Sequence, residues 1–261
     1  MKTLIAGPDW MEFGWLVATY IPALRHVAKG YDKIIILCRP ENEYLYRDFA
    51  TDFIFMEPKK EKRCDRWLFN DKKLKMPADI KIAYSDSKII EPGRNLCSSA
   101  IRKFKKYGKF DERDRYDIVI HARSEAKYGR EDRNWPVKNY VKLIKELRKQ
   151  KELSICSIGT SAYHIPGTED KRNIPLRQLC NILASSKVAI GPSSGPLHLA
   201  ALCCCSQVVF TYNEFQKSIS GTNKDRYKKY WNPFRIDCTV LDKHNWQPPV
   251  DVVEKAVRKY L

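Results

Sequence analysis

The segment IGPSSGPLHLAAL, residues 190–202, sets two glycines, two serines, two prolines and a histidine between the apolar run SKVAI and a second apolar run of helical character. Such a junction falls at the carboxyl end of a strand, where open parallel sheets hold their ligands. A helix starting near Ser194 or Gly195 leaves its first N–H groups unpaired and carries partial positive charge there. Glycine lets a ligand approach that backbone closely, and Pro196 costs little at a helix start. The chemistry implied is anion binding, phosphate above all, with Ser193, Ser194, Gly195 and His198 as the candidate contacts. A plain strand-to-helix turn capped by serines would use the same residue types, so the phosphate reading needs cations from elsewhere. Two segments offer them. HAR supplies His121 and Arg123 at the end of another apolar strand, and REDRNWP supplies Arg130 and Arg133 just before a helix start. Guanidinium groups bind phosphate through paired hydrogen bonds.

Carboxylates come from the other end of the chain. GPDWMEFGW follows the first apolar run and carries Asp9 and Glu12. Either could accept the proton of an attacking hydroxyl; either could equally be a turn or N-cap carboxylate. No apolar strand runs into an Asp-x-Asp pair, which speaks against a metal-held diphosphate. The nine cysteines form no CxxC pair, so a zinc or dithiol motif is unsupported. Free thiols fit a reducing, cytoplasmic setting, and Cys203, Cys204 and Cys205 read as small buried packing.

The elements that must position these residues alternate. TLIAG reads as a strand, GWLVATYIPALRHVAKG as a helix stopped at Gly30, KIIILC as a buried strand, EYLYRDFA as a helix and DFIFM as a strand. From Glu57 to about Phe110 charge rises and periodicity falls, with IKIAY a candidate strand and CSSAIRKFKKY a candidate helix. GKFDERDRYD reads as a connector. Order returns with DIVIHAR, the Trp-Pro helix start of WPVKNYVKLIKELRKQ, LSICSIG, IPLRQLCNILASS, KVAIG, GPLHLAALCC, QVVFTY and the amphipathic VDVVEKAVRKYL. The pattern predicts an α/β protein with parallel sheets. Its parts are residues 1–112, residues 113–248 and a closing helix over 249–261.

The totals support a globular chain. It has 261 residues, 43% hydrophobic and 11% aromatic. No apolar run approaches the ~20 residues that span a bilayer, and MKTLIAGPDWMEF reads as a first strand, not a signal peptide. The net charge of +17 predicts an anionic partner. Nucleic acid, an anionic membrane surface met peripherally and a phosphorylated acceptor all fit. The stretch DRYKKYWNPFR could stack aromatics on bases or cover a core with its lysines reaching out to water. A nucleic-acid-binding α/β protein without catalysis is therefore the alternative to an enzyme.

RNWPVKNYVKLIKEL followed by AIGPSSGPLHLAALCCCSQVVF resembles the carboxyl-terminal half of the family 9 glycosyltransferases, the ADP-heptose:lipopolysaccharide heptosyltransferases and their relatives. The likeness covers roughly residues 118–211 and extends faintly to YIPALRHV. It implies a GT-B fold, two Rossmann-like domains facing each other across a cleft that takes a nucleotide sugar. It also implies inverting sugar transfer without metal or other cofactor, the nucleotide sugar being a cosubstrate. By matching position Arg133 would touch the diphosphate, with Ser194, Gly195 and His198 lining the same group. Ser193 stands where the family usually has aspartate. The family's catalytic aspartate lies in the loop before the first helix; Glu12 fits that place best and Asp9 second, though not residue for residue. The implied acceptor is a glycolipid or lipopolysaccharide core. The charge fits equally well duplex DNA bearing a hydroxylated base, the acceptor of the phage DNA glycosyltransferases.

Overall fold

The structure, a computed structural model, describes residues 1–57, 75–93, 96, 101–124, 131–160, 162–214 and 221–261. Arg130 lies outside them. The chain divides into two compact units, Met1–Lys105 and Lys106–Leu261, so the division falls ahead of residue 112 and the last helix belongs to the second unit.

The first unit runs β1 (Thr3–Ala6), α1 (Phe13–Trp15), a π-helical turn (Leu16–Tyr20), α2 (Ile21–Ala28), β2 (Lys33–Cys38), a 3₁₀ turn (Pro40–Leu45), β3 (Asp52–Phe55), α3 (Ala78–Ala83) and β4 (Lys88–Ile90). Its sheet is parallel throughout, in the order β3-β2-β1-β4. Ile5, Ile35, Leu37 and Met76 form the core on one face. Arg25 is buried on α2 and holds the segment after the 3₁₀ turn. It donates to both Asp48 carboxylate oxygens at 2.8 and 3.2 Å and to the carbonyls of Leu45 and Lys103.

Three expectations fail in this unit. EYLYRDFA is a 3₁₀ turn ending at Leu45 followed by tight turns, not an α-helix. IKIAY lies largely in helix α3, entered at Pro77, which sits at the N-cap. Ile80 and Ile82 alternate like strand residues, but over six residues the two periods cannot be separated, and Ile82 is left exposed. Of CSSAIRKFKKY, residues 101–107 are not helical; residues 97–100 lie outside the described set.

The second unit runs β5 (Ile118–Ile120), α4 (Val137–Arg148), β6 (Ile155–Gly159), β7 (Glu169–Arg172), α5 (Leu176–Ser185), β8 (Val188–Pro192), α6 (Gly195–Leu202), β9 (Ser206–Phe210), α7 (Asn223–Lys229), β10 (Cys238–Leu241) and α8 (Val250–Arg258). Its sheet is also parallel, in the order β10-β9-β8-β5-β6-β7. From β5 the chain winds outward through β6 and β7, then returns to β8 and winds the other way. The reversal leaves a crevice at the carboxyl ends of β5 and β8, the place where such sheets bind ligands.

Helices α4 and α8 pack together over one face. Trp135, Tyr140, Phe210, Val253 and Val257 lie at the core beneath them. The Trp-Pro pair explains itself here. Pro136 stands at the N-cap of α4. Trp135 is buried edge-on to Tyr140 and Phe210, and its indole N–H donates to the Pro248 carbonyl at 2.9 Å. That anchor fixes the residues just before it, including Arg133. Among the described residues no helix is long and apolar enough to cross a membrane.

Candidate anion site at the ends of β5 and β8

The quoted loop folds as its residue types require. Strand β8 ends at Pro192, the chain bends at Ser193 and Ser194, the latter with extended backbone, and α6 begins at Gly195. Ser194 is the N-cap residue but makes no side-chain capping bond. Its hydroxyl lies 3.0 Å from His121 Nδ1 instead. The first turn of α6 therefore keeps N–H groups, those of Gly195 and Leu197, that no cap side chain satisfies. Gln207 Nε2 donates to the Leu197 carbonyl at 2.7 Å and holds that turn in place.

His121 follows β5, so the Ser194–His121 pair bridges the two strand ends that frame the crevice. Two glycines make room for it. A Cβ on Gly191 would lie 2.5 Å from the His121 carbonyl oxygen, and one on Gly159 would lie 2.9 Å from the His121 ring; φ is +156° and +119° at these positions. At Gly191 the obstacle is backbone, which cannot swing aside. Gly191→Ala is expected to cost at least about 3 kcal/mol, from strained φ plus overlap. Thermal melting of the variant should show a fall in Tm of roughly 6–12 °C.

Arg133 reaches the same loop. Its Nη2 donates to the Ser193 carbonyl at 2.6 Å, and its guanidinium lies over the Trp246 ring at 4.4 Å. Arg123, also buried, donates to Asn134 Oδ1 at 2.9 Å, beside the Trp-Pro anchor. Ser193 takes a hydrogen bond at its hydroxyl from Tyr227 at 3.2 Å and donates its own N–H to Phe210. His198, one turn into α6, is 8% exposed and packs against Trp231 at 4.4 Å and Tyr227 at 5.7 Å between ring centroids. Its Nδ1 is buried without a hydrogen-bond partner. Burial, then Arg133 and Arg226, push its pKa down to about 3, so the ring is neutral at pH 7. Of the residues expected in this half of the chain, the structure brings His121, Arg133, Ser193, Ser194, Gly195 and His198 into one linked set, with Arg123 bonded to Asn134 beside it.

Sequence reasoning read Arg226, Tyr227 and Trp231, within DRYKKYWNPFR, as base-stacking or core-covering residues and not as part of this site, and it did not single out Trp246. Helix α7 carries or adjoins the first three and covers His198. Its face toward the site is polar, so hydrophobic periodicity is silent there. The available signal was Thr222-x-x-Asp225, which forms a reciprocal capping box at the start of α7.

The two carboxylates of the first unit differ. Glu12 is exposed, at the N-cap of α1, with its carbonyl accepting from Leu16 N. Asp9 is fully buried at the carboxyl end of β1. Its Oδ1 accepts from Arg39 N at 2.9 Å, and its Oδ2 from Asn42 at 2.8 Å and from the Tyr46 hydroxyl at 3.4 Å. Burial raises the Asp9 pKa to about 6 even though Arg39 opposes the shift. The sign follows. Between the unfolded pKa near 4 and the folded value near 6 the native state binds more proton, so this group's contribution to stability falls as pH rises through that window. Denaturation of the parent and Asp9→Asn at pH 4.5 and pH 7 should show a pH response smaller by roughly 2 kcal/mol in the variant.

The arrangement in the second unit sets guanidinium groups and the uncapped first turn of α6 at the switch point of a doubly wound sheet, a combination that can hold an anion. The whole chain superposes on solved glycosyltransferases. An Escherichia coli ADP-heptose LPS heptosyltransferase II matches 100% of this chain and 98% of its own, with TM-score 0.61 and 13% identity. A glycosyl transferase family 9 protein from Veillonella parvula matches 99% and 96%, with TM-score 0.56 and 11% identity. The chain has the fold of these glycosyltransferases, the GT-B class. A second heptosyltransferase of Escherichia coli, solved with ADP, shares that fold over 100% of both chains at TM-score 0.59 and 11% identity. No protein-family model and no curated protein sequence matches the chain.

Proposed function

We propose that this protein transfers a sugar from a nucleotide-sugar donor to a hydroxyl of an anionic acceptor, with inversion and without a metal. The observation that carries the reading is Arg133 bonded to the loop at the uncapped start of α6, beside the His121–Ser194 pair. A departing nucleoside diphosphate develops negative charge. Preorganised N–H groups and a guanidinium stabilise that charge without reorganising, which is the work a metal ion does in other transferases. The acceptor oxygen bonds to the anomeric carbon, the bond from that carbon to the phosphate oxygen breaks, and the acceptor's proton passes to a base. Glu12 is the proposed base because it is exposed. Asp9 has its oxygens engaged by Arg39, Asn42 and Tyr46 and positions its loop.

The donor reading gains support from the neighbour solved with ADP, so ADP-sugars head the list to test. Incubating the protein with a panel of nucleotide sugars and candidate acceptors, and detecting released diphosphate, decides it. Release with none of them, together with no thermal stabilisation by any nucleoside diphosphate, would overturn the enzyme.

For the acceptor, a phosphorylated glycolipid of the lipopolysaccharide-core type agrees with the LPS that the Escherichia coli heptosyltransferase II is named for and with the +17 charge. Duplex DNA is the competing acceptor. The expected result of a filter-binding series is weak duplex binding at physiological salt. Tight binding whose logarithm falls linearly and steeply with the logarithm of salt would move the acceptor to DNA. Two aromatics of the non-catalytic nucleic-acid reading, Tyr227 and Trp231, are buried around His198 and unavailable to stack on bases, while Tyr230 of the same stretch is exposed.

A further inference from the structure

We propose that Arg226, on helix α7, is a second guanidinium of the anion site and contacts the diphosphate of the nucleotide-sugar donor. The proposal rests on the transferase reading above and adds to it a residue that lies outside the strand-end loops.

Helix α7 is fastened to the site at two points. At its first residue Asn223 Nδ2 donates to Thr211 Oγ1 at 2.7 Å, just beyond the end of β9. One turn later the Tyr227 hydroxyl donates to Ser193 Oγ at 3.2 Å, just beyond the end of β8. Positions 223, 226 and 227 are the buried ones on this helix, and residues three and four apart share one helix face. Arg226 is thus held on the face that Asn223 and Tyr227 turn toward the strand ends. Its guanidinium lies 5.0 Å from the centre of the Trp231 ring, and the same indole packs at 4.4 Å on His198. Arg226 is only 9% exposed.

Three features of this arrangement point to an anionic ligand. Arginine is the side chain suited to planar, paired recognition of phosphate, and Trp231 and the buried face of α7 hold this one in place. His198 Nδ1 is buried, lacks a partner, and sits in the first turns of α6; a buried polar atom left unbonded costs free energy until something fills its place. Arg133 and Arg226 are also the two charges that most disfavour a proton on His198. Both guanidiniums thus act on the surroundings of His198, and positive charge there favours an anionic ligand. The indole of Trp231 keeps one face of Arg226 flat and preorganised, so little side-chain entropy is lost on binding.

The test is calorimetric titration of the full chain with ADP, UDP, GDP, inorganic pyrophosphate and the matching nucleosides. It uses the parent, Arg226→Lys, Arg226→Gln and Arg133→Ala, with unfolding temperatures as a control for folding. Losing one charge-assisted contact should weaken diphosphate and pyrophosphate binding roughly 10–100-fold in Arg226→Gln. Arg226→Lys should recover part of that loss, and nucleoside binding should stay within about twofold of the parent. A merely structural role would weaken nucleoside and diphosphate together. Parent-like diphosphate binding by a folded Arg226→Gln overturns this assignment and leaves the transferase standing. If the parent binds no diphosphate or pyrophosphate while Arg133→Ala behaves the same, the transferase reading itself has failed.

Discussion

Glu12→Gln should turn over roughly 10²–10⁴-fold more slowly than the parent, the usual loss when a general base is removed. The change keeps size and polarity and removes only the proton-accepting charge. Glu12 is exposed and makes no side-chain capping bond at α1, so Tm should stay close to the parent's, as it does for most surface substitutions. Affinity for nucleoside diphosphate should also hold, because the anion site belongs to the second unit. Steady-state rates on the best donor and acceptor, with calorimetry on the nucleotide alone, make the check. Parent-like turnover in the folded variant would falsify the assignment. Asp9→Asn is the companion measurement: its signature is the altered response of stability to pH described above, because Asp9 is buried among Arg39, Asn42 and Tyr46.

Arg133→Ala carries the second large effect. Arg133 lies on Trp246 and bonds to the Ser193 carbonyl, so truncation removes both a cation and a brace on the loop before α6. Nucleoside diphosphate affinity should fall roughly 10–100-fold, the range for a lost charge-assisted contact, while nucleoside affinity changes little. Equal losses for both ligands would mean that the guanidinium does not touch phosphate. Arg133→Lys should recover only part of the affinity, since an ammonium neither stacks flat on indole nor forms paired bonds to phosphate.

The strands and helices that frame the site could be read because their burial is apolar. KIIILC, KVAIG and the α4 stripe of Tyr140, Ile144 and Leu147 announce themselves through hydrophobic spacing, and the Gly-Pro-Ser-Ser-Gly junction through its turn residues. What escaped was built from polar atoms. Strand β7 is Glu169-Asp170-Lys171-Arg172, an edge strand with no apolar residue, held by backbone pairing to β6 and by the polar ties Tyr116–Glu169 and Arg172–Ala162. Helix α7 buries asparagine and tyrosine by hydrogen bonding and arginine against an indole ring. Hydropathy cannot see either. The exchange of Ser194's capping bond for a bond to His121 is likewise a tertiary choice. The residue type predicts a cap, and only the nearness of the β5 end makes the alternative available.

Helix α8 imposes a condition on biosynthesis. Val253 and Val257 complete the core that Trp135 begins, the Trp135 indole bonds back to Pro248, and Arg258 binds the Glu146 carbonyl on α4. The second unit cannot close around its aromatic centre until translation has delivered residues 248–258. A growing chain would carry Trp135 and Tyr140 uncovered through most of that interval, which exposes them to chaperones and proteases while the first unit is already able to settle.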